Sequence, residues 1–225
     1  MIDELIACVA PSILGRSGSI FYSGRRAFTQ PSNIYILGLN PGGCPIRQAS
    51  DTIERDLERI KADDRENWSA YRDEVWEGAP GTHGMQPRVL HLLKRLGRDP
   101  GEVPASNVVF VRTRREKDLH LEKNTLLPLC WGFHEKAIEQ LGVRAILCFG
   151  GTAGTWVREK LGADQCIGQF QENNRRRWTS VAHSNSAGIC VATLTHPSIA
   201  KWDTPETDPT ELVLSVIDQS RPSTR

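Results

Sequence analysis

Four short apolar runs, each cut off by a glycine or a polar residue, constrain this chain more than any other feature. Ile34-Tyr-Ile-Leu37 stops at Gly38 and Val108-Val-Phe-Val111 at Arg112. Ala145-Ile-Leu-Cys-Phe149 stops at Gly150, and Ile189-Cys-Val-Ala-Thr-Leu194 at Thr195. Runs this short and continuous read as strands buried on both faces. Helical periodicity fills the intervals, and that alternation predicts a parallel sheet covered on both sides. The expected fold is α/β, a three-layer α/β/α sandwich with a central four-stranded parallel sheet. At 225 residues the chain makes one domain, residues 1–225. The polar strand ends gather at one edge of such a sheet, where ligands bind.

Ile2, Leu5, Ile6, Val9, Ile13 and Leu14 recur at helical spacing and predict an amphipathic opening helix. Pro87 to Leu96 predicts a short helix with proline in its first turn and Gly97 as its stop. Leu126 to Leu141, closed by Gly142, Thr152 to Leu161, and a last helix from Glu211 to Ile217 complete the set. Asp51 to Asp73 is charge-rich with few apolar anchors and reads as a surface excursion. Whether the wider 44–86 segment closes over a site stays open. Residues 218–225 read as a flexible tail.

Hydrophobic residues make up 39% of the chain and charged ones 24%, enough for an ordinary core. A formal net charge of +1 points to no nucleic-acid partner by itself. Two clusters are basic: Arg112, Arg114, Arg115 and Lys117, and Arg175-Arg176-Arg177 beside Trp178. Either alone reads as a solvated loop. No apolar run approaches the roughly 18 residues of a membrane span. The start, Met1-Ile-Asp-Glu4, lacks a basic leader region. The six cysteines are scattered without a CxxC pair. These features predict a cytoplasmic protein without disulfides, metal site or membrane partner.

Two strand ends carry chemistry. Gly38-Leu-Asn-Pro-Gly-Gly43 presents Asn40 in a loop whose glycines admit a ligand to the backbone. Thr195-His-Pro-Ser198 presents His196, which reads equally as a structural turn histidine. Gly150-Gly-Thr-Ala153 is either a phosphate cradle at a helix N-terminus or a plain strand-to-helix turn. GxGxxG, GxxxxGK[ST] and Gly-x-Ser-x-Gly are absent, which counts against nucleotide-cofactor and serine-hydrolase readings. His83, in Gly81-Thr-His-Gly84, lies in a loop able to enter a site.

In order and spacing these pieces resemble the uracil-DNA glycosylase superfamily over most of residues 30–215. Gly38-Leu-Asn-Pro-Gly42 resembles its first active-site motif, His196-Pro-Ser198 its second, and Ile146 to Ala153 its apolar strand and helix start. The resemblance implies a monofunctional DNA glycosylase, monomeric and without cofactor, that leaves an abasic site. It implies that Asn40 orients the attacking water and that His196 stabilises the departing base. Gly38, Leu39, Pro41, Gly42, Gly43, Arg112 and His83 would surround the base. Ser198, Ile199, Lys201, Trp202, Arg114, Arg115, Gly151 and Thr152 would contact DNA, with Ile199, Lys201 or Trp202 wedged into the gap.

Two departures stand out. The family's base-reading Asn ends the strand matched here by 108–111. Counting from the strand end puts Arg112 there, and counting from the Asn107-Val-Val run puts Asn107 there; Arg112 is preferred, since Asn107 would fall at the wrong end of the expected strand, and the choice stays open. The aromatic that stacks on the base after the first motif is replaced by Cys44-Pro-Ile-Arg-Gln48. A polar, unstacked pocket favours a modified base, tilting toward glucosylated hydroxymethylcytosine of phage DNA in an anti-phage role. Uracil or mismatch repair is the alternative. A non-catalytic DNA-binding module and a small-molecule hydrolase at the same sheet edge are readings of other classes.

Overall fold

The structure, a computed structural model, describes residues 1–221. Six strands form one sheet: β1 (Ile34–Gly38), β2 (Ala105–Asn107), β3 (Ala145–Phe149), β4 (Gln165–Gln171), β5 (Thr179–Ser184) and β6 (Cys190–Leu194). The helices are α1 (Ile2–Ile6), α2 (Ile53–Arg59), α3 (Gln86–Arg95), α4 (Glu116–Leu119), α5 (Lys123–Leu141), α6 (Gly151–Leu161) and α7 (Thr210–Gln219). Strand order is β2-β1-β3-β6-β5-β4. The first four are parallel; β5 and β4 add an antiparallel hairpin. The sheet therefore has six strands rather than the expected four, because the hairpin carries no apolar run to announce it.

Alternate side chains of the parallel strands feed two separate cores. Tyr35, Leu37, Ile146, Cys148 and Val191 pack with α5, α6 and the N-terminal segment. Ile34, Ile36, Leu147, Phe149, Ala192 and Leu194 pack with α3 and α7 on the opposite face. Helices thus cover both faces, and the central strands are apolar throughout for that reason.

The opening helix ends at Ile6, and Pro11–Ile13 forms a separate 3-10 turn. Proline pushes the preceding residue out of the helical region, and Ala10 is extended at ψ 126°. The final helix runs to Gln219 and Ser220 is buried, so residues 218–220 are packed structure; residues 222–225 of the predicted tail lie outside the described residues.

The second strand is displaced from its expected position. It is Ala105–Asn107, paired with β1 through Ile36↔Ala105, Leu37↔Ser106 and Gly38↔Asn107. Val108–Val111 lies beyond the regular ladder: Val108 and Val109 N–H still bond to Gly38 O and Leu39 O (both 2.9 Å), and the buried segment then meets the N-terminal loop through a bridge of Val111 with Gly18, Ser19 N–H to Phe110 O (3.0 Å) and Arg112 N–H to Ser17 O (2.8 Å). Among the described residues, no helix is long and apolar enough to cross a membrane, and all six cysteines are free thiols.

Candidate functional site

The carboxyl ends of β1, β2, β3 and β6 open onto one cleft of about 1220 Å³. The chain leaves β1 to one side for β2 and reaches β3 on the other, and such a reversal creates a binding crevice.

Asn40 follows β1 directly. Its Nδ2 donates to Thr113 Oγ1 (2.8 Å), Pro41 O (3.2 Å) and Val111 O (3.2 Å). Thr113 Oγ1 in turn donates to Arg115 O (3.0 Å), so it can only accept from Asn40. Two carbonyls and a committed hydroxyl fix the amide orientation. Oδ1 is left to face the cleft.

His196 follows β6. Its Nδ1 accepts the backbone N–H of Ser198 at 3.1 Å. A neutral imidazole that accepts at Nδ1 carries its proton on Nε2, which makes Nε2 a donor to the cleft. Burial holds the His196 pKa below its ordinary value, with the Glu116 carboxylate opposing more weakly. The loop is gripped through its backbone: an Arg88 guanidinium nitrogen donates to Pro197 O, and Arg176 donates to Ile199 O at 3.3 Å.

Asn107, not Arg112, ends β2, and both residues line the cleft. Its side chain lies against Gly38, where an added Cβ would collide with Asn107 Oδ1. Asn107 is 6% exposed and its buried Nδ2 has no partner. A buried donor without an acceptor is costly, and a bound ligand is one way to satisfy it. Arg112 has a different task. Its Nε donates to Ser17 Oγ (3.3 Å) and its guanidinium to Gly42 O, bracing the glycine loop. Gly43, at φ 113°, packs against Gln48 and Arg112 where a side chain would not fit. The expected strand end at Arg112 is corrected: the ladder begins three and ends four residues earlier than the apolar run, which puts Asn107 at that end.

The cleft is not poor in aromatics. Tyr22, Tyr71 and Trp76 form one wall, with ring centroids 5.9 and 6.2 Å apart, and Phe149 and Trp178 border it elsewhere. Tyr22 lies beside Asn107, and burial pushes its hydroxyl up to about 12. None of these rings lies within thirty residues after Asn40, so no local signal could have found them. The 44–86 segment supplies much of this wall, including Trp76 and the exposed His83, which pairs with Glu77 at 3.2 Å.

Leu39, Gly42, Gly43, Arg114 and Arg115 line the same cleft, as do Gly151 and Thr152 at the start of α6. Thr152 Oγ1 donates to Glu116 Oε1 at 2.5 Å. Arg114 donates to Cys44 Sγ (3.4 Å) and, with backbone N–H groups of Arg47 and Ile46, lowers that thiol to about 7. Ser198 and Ile199 stand at the rim, Ile199 being 53% exposed. Pro41 is buried outside the lining and Lys201 is exposed away from it. Trp202 is fully buried, 5.2 Å from Phe149 edge to face, so it is a core residue and not a wedge. No group of three His, Cys, Asp or Glu residues is arranged to hold a metal among the described residues.

Comparison with protein-family models gives no match, and comparison with curated proteins gives none either.

Proposed function

We propose that this chain is a monofunctional DNA glycosylase that hydrolyses the N-glycosidic bond of a modified pyrimidine. One observation carries the reading: Asn40 Oδ1, the Nε2 donor of His196 and the unpartnered Nδ2 of Asn107 all border one cleft. These are the groups that a reaction expelling an anionic base requires. As the C1′–N bond breaks, negative charge grows on the base, and His196 Nε2–H donates to its oxygen. A preorganised donor of that kind is worth roughly 10²–10³ in rate. Asn40 Oδ1 accepts a hydrogen of the water that attacks C1′, and the proton released ends on the base or in solvent. Asn107 Nδ2 donates to an acceptor on the pyrimidine edge. The target nucleotide must leave the stack to reach this edge. Ile199 is the one member of the proposed wedge that is both apolar and exposed beside the site.

The width of the cleft supports a modified base over bare uracil. The whole cleft, about 1220 Å³, leaves room for a substituted base beside the sugar and phosphates. Glucosylated hydroxymethylcytosine of phage DNA fits that reading, with uracil repair as the alternative. Abasic-site formation, read by alkaline cleavage, tests it. The panel is uracil, hydroxymethyluracil, hypoxanthine and thymine-mismatch oligonucleotides beside phage DNA with plain, hydroxymethylated or glucosylated cytosine. Product from one substrate, lost in Asn40→Ala, is expected; no product from any, with DNA still bound, would leave a binding module instead.

A further inference from the structure

The β4–β5 hairpin places three consecutive arginines beside the His196 loop. Its tip is preorganised. Asn174 Oδ1 accepts the backbone N–H groups of Arg176 (2.9 Å) and Arg177 (3.1 Å), and Asn173 N–H is pinned to Glu206 O at 2.8 Å. Arg176 is committed: its guanidinium stacks 4.6 Å from the Trp178 ring centroid and donates to Ile199 O. Trp178 itself lines the cleft. Arg175 and Arg177 are exposed, and no carboxylate lies within ion-pairing distance of any of the three among the described residues. The Arg177 guanidinium donates to Gln171 Oε1 at 2.5 Å, its one hydrogen bond among the described residues, and keeps further donors free. It is also the single non-glycine residue at positive φ (53°) among the described residues. Glycine or asparagine would hold that conformation more easily. The turn thus keeps a guanidinium at the expense of backbone comfort.

We propose that this tip grips the nucleic-acid backbone beside the target nucleotide, Arg175 and Arg177 each taking a phosphate. Guanidinium forks match phosphate oxygens in pairs. Two exposed guanidinia on the turn that leads into the cleft-lining Trp178 suit a single strand of phosphodiesters. The proposal rests on reading the cleft as a DNA site, but its test does not need base excision.

Binding of a short labelled duplex is measured against KCl concentration for the wild type, Arg175→Gln/Arg177→Gln and Arg177→Gly. Each lost phosphate contact lowers the slope of log K against log salt by about 0.9. The double variant should lose about 1 to 2 in slope and weaken equally on every sequence. Arg177→Gly should lose about 1 while its thermal midpoint holds or rises, which separates lost contact from lost folding. DNA bound with an unchanged slope overturns the inference alone. No DNA binding by the wild type at low salt overturns it together with the glycosylase reading. A reduced slope without product from any base keeps the inference and removes the glycosylase. Binding to phosphatidylserine vesicles that the double variant loses, with DNA binding intact, reassigns the tip to membranes and overturns it.

Discussion

Asn40 commits its amide nitrogen to three acceptors and meets the cleft with oxygen alone. Replacing it with aspartate does more than add a base. The carboxylate would face two carbonyl oxygens with no hydrogen to donate, at about 1–3 kcal/mol for each unsatisfied buried group. Asn40→Asp should therefore lower the thermal midpoint and reduce single-turnover product formation; a variant as stable as the wild type and faster would refute that orientation. At His196 the relevant form is neutral, and burial holds its pKa below the usual ~6.5. Any acid limb of the rate that His196 sets should be centred below 6.5. An acid limb centred at or above that value would mean an imidazole that titrates as if exposed. Asn40 and His196 were legible in sequence because each follows an apolar run and a proline fixes its loop. Asn107 was legible only as a second choice: its strand is Ala105-Ser106-Asn107, too short and polar to show, and the louder Val108–Val111 run beside it drew the boundary to Arg112.

At the scale of elements, α6 approaches β6 so closely that only glycine fits at 154. A Cβ there would collide with the Thr193 side chain. Gly154→Ala should cost about 1–3 kcal/mol through overpacking, or a fall of several degrees in thermal midpoint measured by calorimetry. An unchanged midpoint would mean that helix and strand separate freely. β1, β3 and β6 were readable because burial on both faces leaves them almost wholly apolar. The β4–β5 hairpin was not, since Gln165-Cys-Ile-Gly-Gln-Phe-Gln171 is an edge strand with mostly exposed side chains. Its turn residues were visible only as a basic cluster. Helix ends were read closely where glycine takes the left-handed conformation, as at Gly142 (φ 70°) and Gly162 (φ 60°).

Across the whole molecule, buried titratable groups govern how stability changes in acid. His134 is fully buried, hydrogen-bonded through Nδ1 to Tyr35 Oη at 2.9 Å, and burial lowers its pKa to about 4. The folded chain holds it neutral while the unfolded chain protonates it near 6.5. Its stabilisation is complete above about 6.5 and is lost as pH falls toward 4, on the order of 3 kcal/mol in all. Asp56 runs the other way. Burial raises its pKa despite hydrogen bonds from Ser19, Ile20 and Phe21, so the folded state takes up a proton there as pH falls. Denaturant midpoints from pH 7 to pH 4 should fall in the wild type and fall less in His134→Gln; parallel curves would assign the acid sensitivity elsewhere. The grip of Arg88 and Arg176 on the His196 loop has its own consequence. Both hold main-chain oxygens, at Pro197 and Ile199, and neither recognises a side chain. The loop is a socket of fixed shape whose tip is interchangeable, so position 199 can be exchanged across bulky, small or charged side chains while the imidazole three residues earlier keeps its aim.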